Sequence, residues 1–214
     1  MSGKGFRVNE VAIIVAICLV AFLPVFDAGF VNWDDPLYVT ENENIRDFSL
    51  NGIAQLFHPE NRVTDTYTPL TLLSFAIEYQ LAGPTPLVFH LTNLLLHILN
   101  VLLVFQLVKW LGFKNNIALF VAVGFGIHPM HVESVAWVTE RKDLLFSFFF
   151  LLSVLCYVGY FKGKFKYGQR GLVLSALLFV LSLLAKPQAV SLPIVLLLID
   201  FWLGRKWSRK MILE

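Results

Sequence analysis

The sequence predicts an all-α integral membrane protein that forms one membrane domain over residues 1–214. We expect about six transmembrane helices, with short interfacial helices in a long first external loop. Hydrophobic residues make up 57% of the chain, and only 15% of the residues are charged. Soluble domains have nearer a quarter charged residues, so this composition indicates a chain that faces lipid.

Six apolar stretches define the predicted spans, since about 20 helical residues cross roughly 30 Å of hydrocarbon. They cover residues 11–26, 87–111, 117–130, 144–161, 171–185 and 189–203. The third reaches a full span only if the helix continues through Pro129. The last two form a hairpin that is broken at Pro187, because proline removes a helix hydrogen bond. A count of five, with one long bent segment, is the alternative.

Basic residues flank every second connection, as is typical of cytoplasmic loops. These residues are Lys4, Arg7, Lys109, Lys114, Lys162, Lys164, Lys166, Arg170, Arg205, Lys206, Arg209 and Lys210. Residues 27–83 instead contain nine acids and two bases. The asymmetry predicts a multi-pass protein with both termini cytoplasmic, and it favours six spans over five. Because the basic residues flank spans, we exclude a nucleic-acid partner.

The external loop, residues 27–86, has the aromatic residues of a folded segment. We expect Ser49 to cap a short amphipathic helix that ends near Phe57. We expect Pro69 to begin a second helix that ends near Leu81. That second helix is too short to span, and it is predicted to lie in the membrane interface.

Two adjacent carboxylates, Asp34 and Asp35, open this loop just before Pro36. Their functional interpretation is a general base, or a ligand for a metal or a metal-bound phosphate, beside the bilayer. The alternative is a helix end followed by a turn, where Asp and Pro are both common.

The second span contains four polar residues within roughly 80° of one helix face. They are His90, Asn93, His97 and Asn100. Such a stripe is costly against lipid, so it either faces a wet cavity or bonds helices together. We do not expect the two histidines to bind a metal, because they lie two turns apart and no third ligand is evident.

The second external connection, residues 128–143, is dense in ionisable side chains. Arg141 and Lys142 could clamp a phosphate, by fork geometry and by point charge respectively. The alternative is a solvated loop with local ion pairs.

Lys186 lies between apolar stretches on the outward side, where it either binds an anion or extends to the interface. Together these groups suit chemistry on a phosphate-bearing lipid.

Five segments in order resemble the N-terminal membrane region of bacterial C-type glycosyltransferases that are linked to tetratricopeptide repeats. The same segments are similar to the animal transmembrane and tetratricopeptide-repeat O-mannosyltransferases. They are residues 32–42 (NWDDPLYVTEN), 67–71 (YTPLT), 90–97 (HLTNLLLH), 128–143 (HPMHVESVAWVTERKD) and 185–200, which begins AKPQ and ends in Asp200.

The resemblance implies sugar transfer from a polyprenyl-phosphate donor to a hydroxyl of a lipid, protein or glycan acceptor. The reaction would occur at the outer face of the bacterial inner membrane, among membrane lipids. The implied catalytic residues are Asp34 and Asp35, one of which deprotonates the acceptor. The implied substrate-binding residues are Arg141, Lys142 and Lys186 for the donor phosphate, Glu133 and Asp143 for acceptor or metal contacts, and His90 and His131. No cofactor is assigned, although the carboxylates leave a divalent metal open.

The chain departs from this family in two ways. The family continues with further spans and a repeat domain, whereas this sequence ends at Glu214, so we expect an incomplete version of the fold. Gln188 stands where the animal relatives tend to have an acid.

The alternative hypotheses for function are a transporter or flippase-like protein that uses the polar stripe as its pathway, and a non-catalytic membrane scaffold.

Overall fold

The structure, a computed structural model, describes residues 8–164 and 168–205. Within these ranges the chain forms α-helices and short 3-10 and π turns, and one isolated bridge joins Val63 to Thr66. The helices are α1 Val8–Ala21, α2 Leu50–Leu56, α3 Pro69–Ala82, α4 Pro86–Trp110, α5 Asn115–Gly126, α6 His131–Ala136, α7 Arg141–Phe161, α8 Gly168–Ala185 and α9 Leu192–Trp202. The predicted all-α class is confirmed.

Two helical segments are long and apolar enough to cross a membrane, and they match the second and fourth predicted spans. They are Pro86–Trp110 and Val138–Phe161. Four shorter apolar helices match the other predicted spans: Val8–Ala21, Asn115–Gly126, Gln169–Ala185 and Pro187–Trp202. The count of six spans therefore stays a prediction. Six of the basic flanking residues lie outside the described residues: Lys4, Arg7, Lys166, Lys206, Arg209 and Lys210.

The helix boundaries differ from the predicted spans by a few residues at several ends, and two of these differences bear on the charged residues between α5 and α7. α5 ends at Gly126, four residues before the predicted end, and a turn at His128 and Pro129 leads into the short helix α6. α7 begins at Arg141, three residues before the predicted start. The predicted break after α8 is confirmed, because a 3-10 turn over Pro187–Ser191 separates α8 from α9.

Helix α4 lies at the centre of the packing, against α1, α5 and α7, and α7 packs along α8. Buried apolar residues such as Ile14, Leu94 and Phe105 fill the space between α1, α4 and α5. Between α7 and α8, the hydroxyls of Ser153 and Ser175 each donate to the backbone carbonyl of the other residue, at 2.8 and 2.9 Å. Close packing of small residues of this kind is typical of helices in lipid.

The long connection, residues 27–86, folds against the helices instead of lying apart from them. Ser49 caps α2 as predicted, because its Oγ accepts the Gly52 N–H at 3.1 Å. α3 has the predicted start at Pro69 and ends one residue beyond the predicted Leu81, and its position in the membrane interface stays a prediction. Its Phe75 is fully buried in a core cluster with residues from the connection and α4. One face of α3 therefore packs against the other helices, and this places its polar residues against α4 and α7.

We predict that Ser49→Ala destabilises α2 by about 1 kcal/mol, because the Gly52 N–H loses its acceptor. Hydrogen exchange at the Gly52 amide should then accelerate by about fivefold, since that factor corresponds to 1 kcal/mol. The neighbouring exposed residue Asn51 provides the matched control, Asn51→Ala, which should leave the exchange rate unchanged. Equal rates in the two variants would contradict the capping interaction.

Candidate functional site: a charged cluster at the start of α7

Five ionisable side chains meet at the N-terminal end of α7, and two lysines link three carboxylates there. They are Asp34, Glu140, Lys142, Asp143 and Lys186. Lys142 Nζ lies 2.9 Å from Glu140 Oε1 and 3.9 Å from Asp34 Oδ2. Lys186 Nζ lies 3.8 Å from Glu140 Oε2 and also contacts Asp143 Oδ1. The structure thus joins residues from three distant parts of the sequence into one network.

The lysines of the cluster are largely shielded from solvent. Their side chains are 11% and 18% exposed, at Lys142 and Lys186 respectively. The Lys142 ammonium group also lies 5.3 Å from the centre of the buried Tyr38 ring, which offers it a favourable cation–π contact. Because buried charges are screened less than exposed ones, an anion that entered here would interact strongly with both lysines.

The adjacent carboxylates of Asp34 and Asp35 have different environments. Asp34 is partly exposed and faces Lys142, as described above. Asp35 is buried, and each of its oxygens accepts a backbone N–H: Oδ2 from Val31 at 2.8 Å and Oδ1 from Thr139 at 3.2 Å. Asp35 therefore ties the start of the long connection to the segment before α7, whereas Asp34 is the more exposed carboxylate of the two.

Arg141 does not face the cluster, although it lies between two of its members in sequence. Its side chain is fully buried. Nε donates to Asn93 Oδ1 at 2.8 Å and Nη2 donates to the Phe89 carbonyl at 2.8 Å. Nη1 pairs with Glu78 Oε2 and lies 3.4 Å from Ser74 Oγ. This differs from the expected phosphate contact, because protein acceptors already surround the guanidinium group.

Arg141 joins three elements through these bonds. Glu78 belongs to α3, Phe89 and Asn93 belong to α4, and Arg141 is the first residue of α7. The Asn93 Nδ2 group in turn donates to the Trp137 and Val138 carbonyls, at 3.2 and 3.3 Å. The backbone from residue 137 to 141 is therefore fixed from both sides, and this backbone supports Glu140 and Lys142.

The polar stripe of α4 is used for bonds between elements, as the structural alternative predicted. His90 is buried, and its Nε2 lies 3.3 Å from the Gly29 carbonyl oxygen. His97 Nε2 lies 2.8 Å from the Gly126 carbonyl oxygen, and Asn100 Nδ2 donates to the Leu144 carbonyl at 3.0 Å. These contacts place His90 outside the charged cluster, and they do not favour a transport pathway along the stripe.

The two predicted site residues of α6 lie apart from the ion pairs. Glu133 is exposed, and none of the ion pairs found within residues 8–164 and 168–205 includes it. The His131 ring packs against Phe125 and His97, with centroids 4.3 and 5.6 Å away. Burial lowers the pKa of His131 and the nearby His128 lowers it further, against an opposing effect of Asp143. The lowered pKa disfavours the charged form of His131, so this residue is a poor source of positive charge for an anion.

Two residues of the arrangement were not assigned a role from the sequence. Glu140 bridges both lysines, and Glu78 pairs with the buried Arg141. Glu78 had a usable signal, because it is the one charged residue in the apolar sequence of α3. Such a residue in an otherwise apolar helix indicates a buried partner. Glu140 had no such signal, since it lies in a run of four charged residues.

A divalent metal is not assigned to the cluster. Among the residues that the structure describes, no group of three or more His, Cys, Asp or Glu side chains is arranged to hold a metal ion. The carboxylates of Glu140 and Asp143 are instead engaged by lysine ammonium groups. This donor set suits an anion between lysines better than a cation between carboxylates.

Comparison with known proteins finds relatives that are named protein O-mannosyl-transferases. No family model matches the chain, and no solved structure matches it. Protein O-mannosyl-transferase TMTC4 of Homo sapiens is 31% identical over 205 residues, which cover 84% of this chain and 27% of that protein. Protein O-mannosyl-transferase Tmtc1 of Drosophila melanogaster is 30% identical over 184 residues, covering 82% and 21%. The chain is similar to protein O-mannosyl-transferases.

Protein O-mannosyl-transferase TMTC3 of Homo sapiens shows the same relationship, at 29% identity over 161 residues, covering 72% of this chain and 17% of that protein. The matches confirm the predicted similarity to the animal family, whereas a bacterial origin stays a prediction. This chain spans between 17% and 27% of the length of these three relatives. The activity of a whole relative is therefore transferred here only as a proposal.

We predict that Arg141→Met destabilises the protein by about 3–5 kcal/mol, because Glu78 is left as a buried charge without a partner. Thermal unfolding in detergent, followed by tryptophan fluorescence, measures the effect. Lys142→Met is the matched control and should cost less, because the Lys142 side chain is partly exposed.

The double variant Glu78→Met, Arg141→Met should be more stable than Arg141→Met alone, because both buried charges are then removed together. A double variant that is less stable than either single variant would contradict the pairing.

Proposed function

We propose that the chain is a membrane glycosyltransferase, or the N-terminal part of one, that transfers a sugar from a polyprenyl-phosphate donor to an acceptor hydroxyl on the outer face. The observation that supports this most is the shielded pair of lysines beside a reachable carboxylate. Similarity to proteins that are named protein O-mannosyl-transferases supports the glycosyltransferase class. A hydroxyl on a protein or glycan is the acceptor that we propose.

Lys142 and Lys186 are the proposed phosphate-binding groups. As the bond between the sugar and the phosphate breaks, negative charge grows on the leaving phosphate oxygens. Two ammonium groups that are already in place stabilise that charge without reorganisation. Glu140 lies close to both lysines, so one phosphate could contact them together.

Asp34 is the proposed general base. Its Oδ2 lies 3.9 Å from Lys142 Nζ, so an acceptor hydroxyl that binds Asp34 would approach a sugar whose phosphate is held by Lys142. The carboxylate would take the hydroxyl proton as the oxygen attacks the anomeric carbon. Asp35 and Arg141 then act as positioning residues, since their polar atoms bond to the protein and fix the segments on either side of the site.

We also propose the full membrane arrangement: six spans, both termini in the cytoplasm, and the charged cluster on the outer side of a bacterial inner membrane. Large apolar side chains are exposed on the shorter helices as well as on the long ones. Examples are Val20 of α1, Phe120 of α5, Leu177 of α8 and Ile194 of α9, which are between 59% and 81% exposed. Apolar surfaces on so many helices support contact with lipid.

Sugar transfer tests the proposed roles of the two aspartates. We predict that Asp34→Asn lowers transfer from a radiolabelled polyprenyl-phosphate sugar by at least about 100-fold, because the general base is lost. Its thermal stability should stay close to that of the parent, since Lys142 keeps Glu140 as a partner. Asp35→Asn should instead lower stability by about 1–3 kcal/mol, because a backbone N–H loses its buried acceptor.

Membranes that contain equal amounts of each variant allow the rates to be compared directly. Parental transfer by Asp34→Asn would contradict its role as the base. No transfer by the parent chain, beside an active relative as the positive control, would contradict catalysis by this chain and leave the scaffold hypothesis.

Labelling with a membrane-impermeant maleimide tests the six-span arrangement. In a background without Cys18 and Cys156, we expect a cysteine at Glu43 to react in intact cells. Cysteines at Lys114 and Lys162 should react only after the cells are opened, because both positions are predicted to be cytoplasmic. Reaction of all three positions in intact cells would contradict this arrangement.

A further inference from the structure

Glu140 lies between the two lysines that are the proposed ligands of the donor phosphate. We propose that its carboxylate holds the position of that phosphate, and that the phosphate displaces it when the donor binds. This inference rests on the proposed function. It adds a residue that controls which lipid can enter the site and how readily the lipid phosphate product leaves.

The geometry of the Glu140 carboxylate resembles that of a phosphate held by two cations. Its Oε1 lies 2.9 Å from Lys142 Nζ, and its Oε2 lies 3.8 Å from Lys186 Nζ. Each carboxylate oxygen thus faces a different ammonium group. The two non-bridging oxygens of a phosphodiester present the same bidentate arrangement of negative charge.

The charge count favours an exchange. Two ammonium groups, on Lys142 and Lys186, face three carboxylates, on Asp34, Glu140 and Asp143. With all five groups ionised, the cluster has one more negative than positive charge. A phosphodiester that joined the cluster as it stands would add another negative charge among poorly exposed carboxylates, and such like-charge contacts are costly. Withdrawal of the Glu140 carboxylate removes the negative charge that faces both lysines.

The surroundings of Glu140 restrict this movement to its side chain. The Thr139 N–H before it is held by buried Asp35, and Arg141 after it is held by the interior bonds described above. Glu140 Cα is therefore fixed, whereas the carboxylate at the end of its side chain lies between the two lysines and also contacts the Asp143 carboxylate. Rotation about the side-chain bonds is enough to withdraw the Glu140 carboxylate from both lysines without moving α7, while Asp143 stays beside Lys186.

This exchange gives Glu140 a role in selecting the donor. A neutral polyprenol cannot replace the carboxylate, because it offers no charge to the lysines. A phosphate can, since it is a bidentate anion of the same kind. After transfer, the returning carboxylate competes with the lipid phosphate for the lysines and promotes its release.

Binding of farnesyl phosphate to the detergent-solubilised full chain tests this exchange, with farnesol as the uncharged probe. We expect Glu140→Gln to bind farnesyl phosphate about tenfold more tightly than the parent, because the competing carboxylate is gone. Glu140→Ala should also bind farnesyl phosphate more tightly. Agreement between the two variants would show that the effect comes from loss of the carboxylate and not from the glutamine side chain. Asp143→Asn is the matched control; it removes one negative charge from the same cluster but leaves the carboxylate between the lysines.

Weaker binding by both Glu140 variants would mean that Glu140 only positions the lysines, and this would overturn the inference. Equal tightening by Asp143→Asn would overturn it as well, because total charge alone would then explain the effect. Lys142→Met and Lys186→Met separate these outcomes from a failure of the proposed function. If neither lysine variant loses affinity, or if the parent binds farnesyl phosphate no better than farnesol, the phosphate site and the role of Glu140 both fail.

Discussion

The buried ion pair of Arg141 and Glu78 is the interaction on which the rest of the arrangement depends. A guanidinium group with no exposed surface is very costly unless acceptors surround it. Here the acceptors come from α3 and α4, so the long connection and the central helix must both be in place. The aromatic faces of Phe75 and Phe89 lie 4.5 and 5.6 Å from the same group. One buried charge thus fixes three segments, and the neighbouring residues of α7 have no freedom to face elsewhere.

The site shows how environment assigns different roles to similar side chains that are adjacent in sequence. Asp35 is buried, and each of its carboxylate oxygens accepts a backbone N–H. The preceding residue, Asp34, instead faces a lysine. Arg141 is buried among protein acceptors, whereas Lys142 emerges into the cluster. In each pair one member holds the structure and the other is available for chemistry. Such pairs let a short motif both fix its backbone and present reactive groups.

Much of the fold could be predicted from the sequence, because apolar length and capping are local signals. The start of α3 at Pro69 and the Ser49 cap were found in this way. The roles of Arg141 and His90 could not be found, because burial depends on which segments pack against each other. α3 has too few residues to span, and only its packing against the other helices shows that Glu78 reaches Arg141. The lysines and Asp34 could be named as candidates from the sequence because charges beside apolar spans are costly and therefore informative.

The most direct measurement of the central claim is to locate the donor phosphate in the folded chain. A polyprenyl acyl phosphate would serve as the probe, since a lysine amine that lies against its phosphate attacks the acyl carbonyl and expels polyprenyl phosphate. Mass spectrometry of the digested protein then identifies the acylated residue. The account predicts label on Lys142 or Lys186, and loss of that label when excess farnesyl phosphate competes. Label spread over Lys109, Lys162 and Lys164, unaffected by the competitor, would contradict a phosphate site at the start of α7.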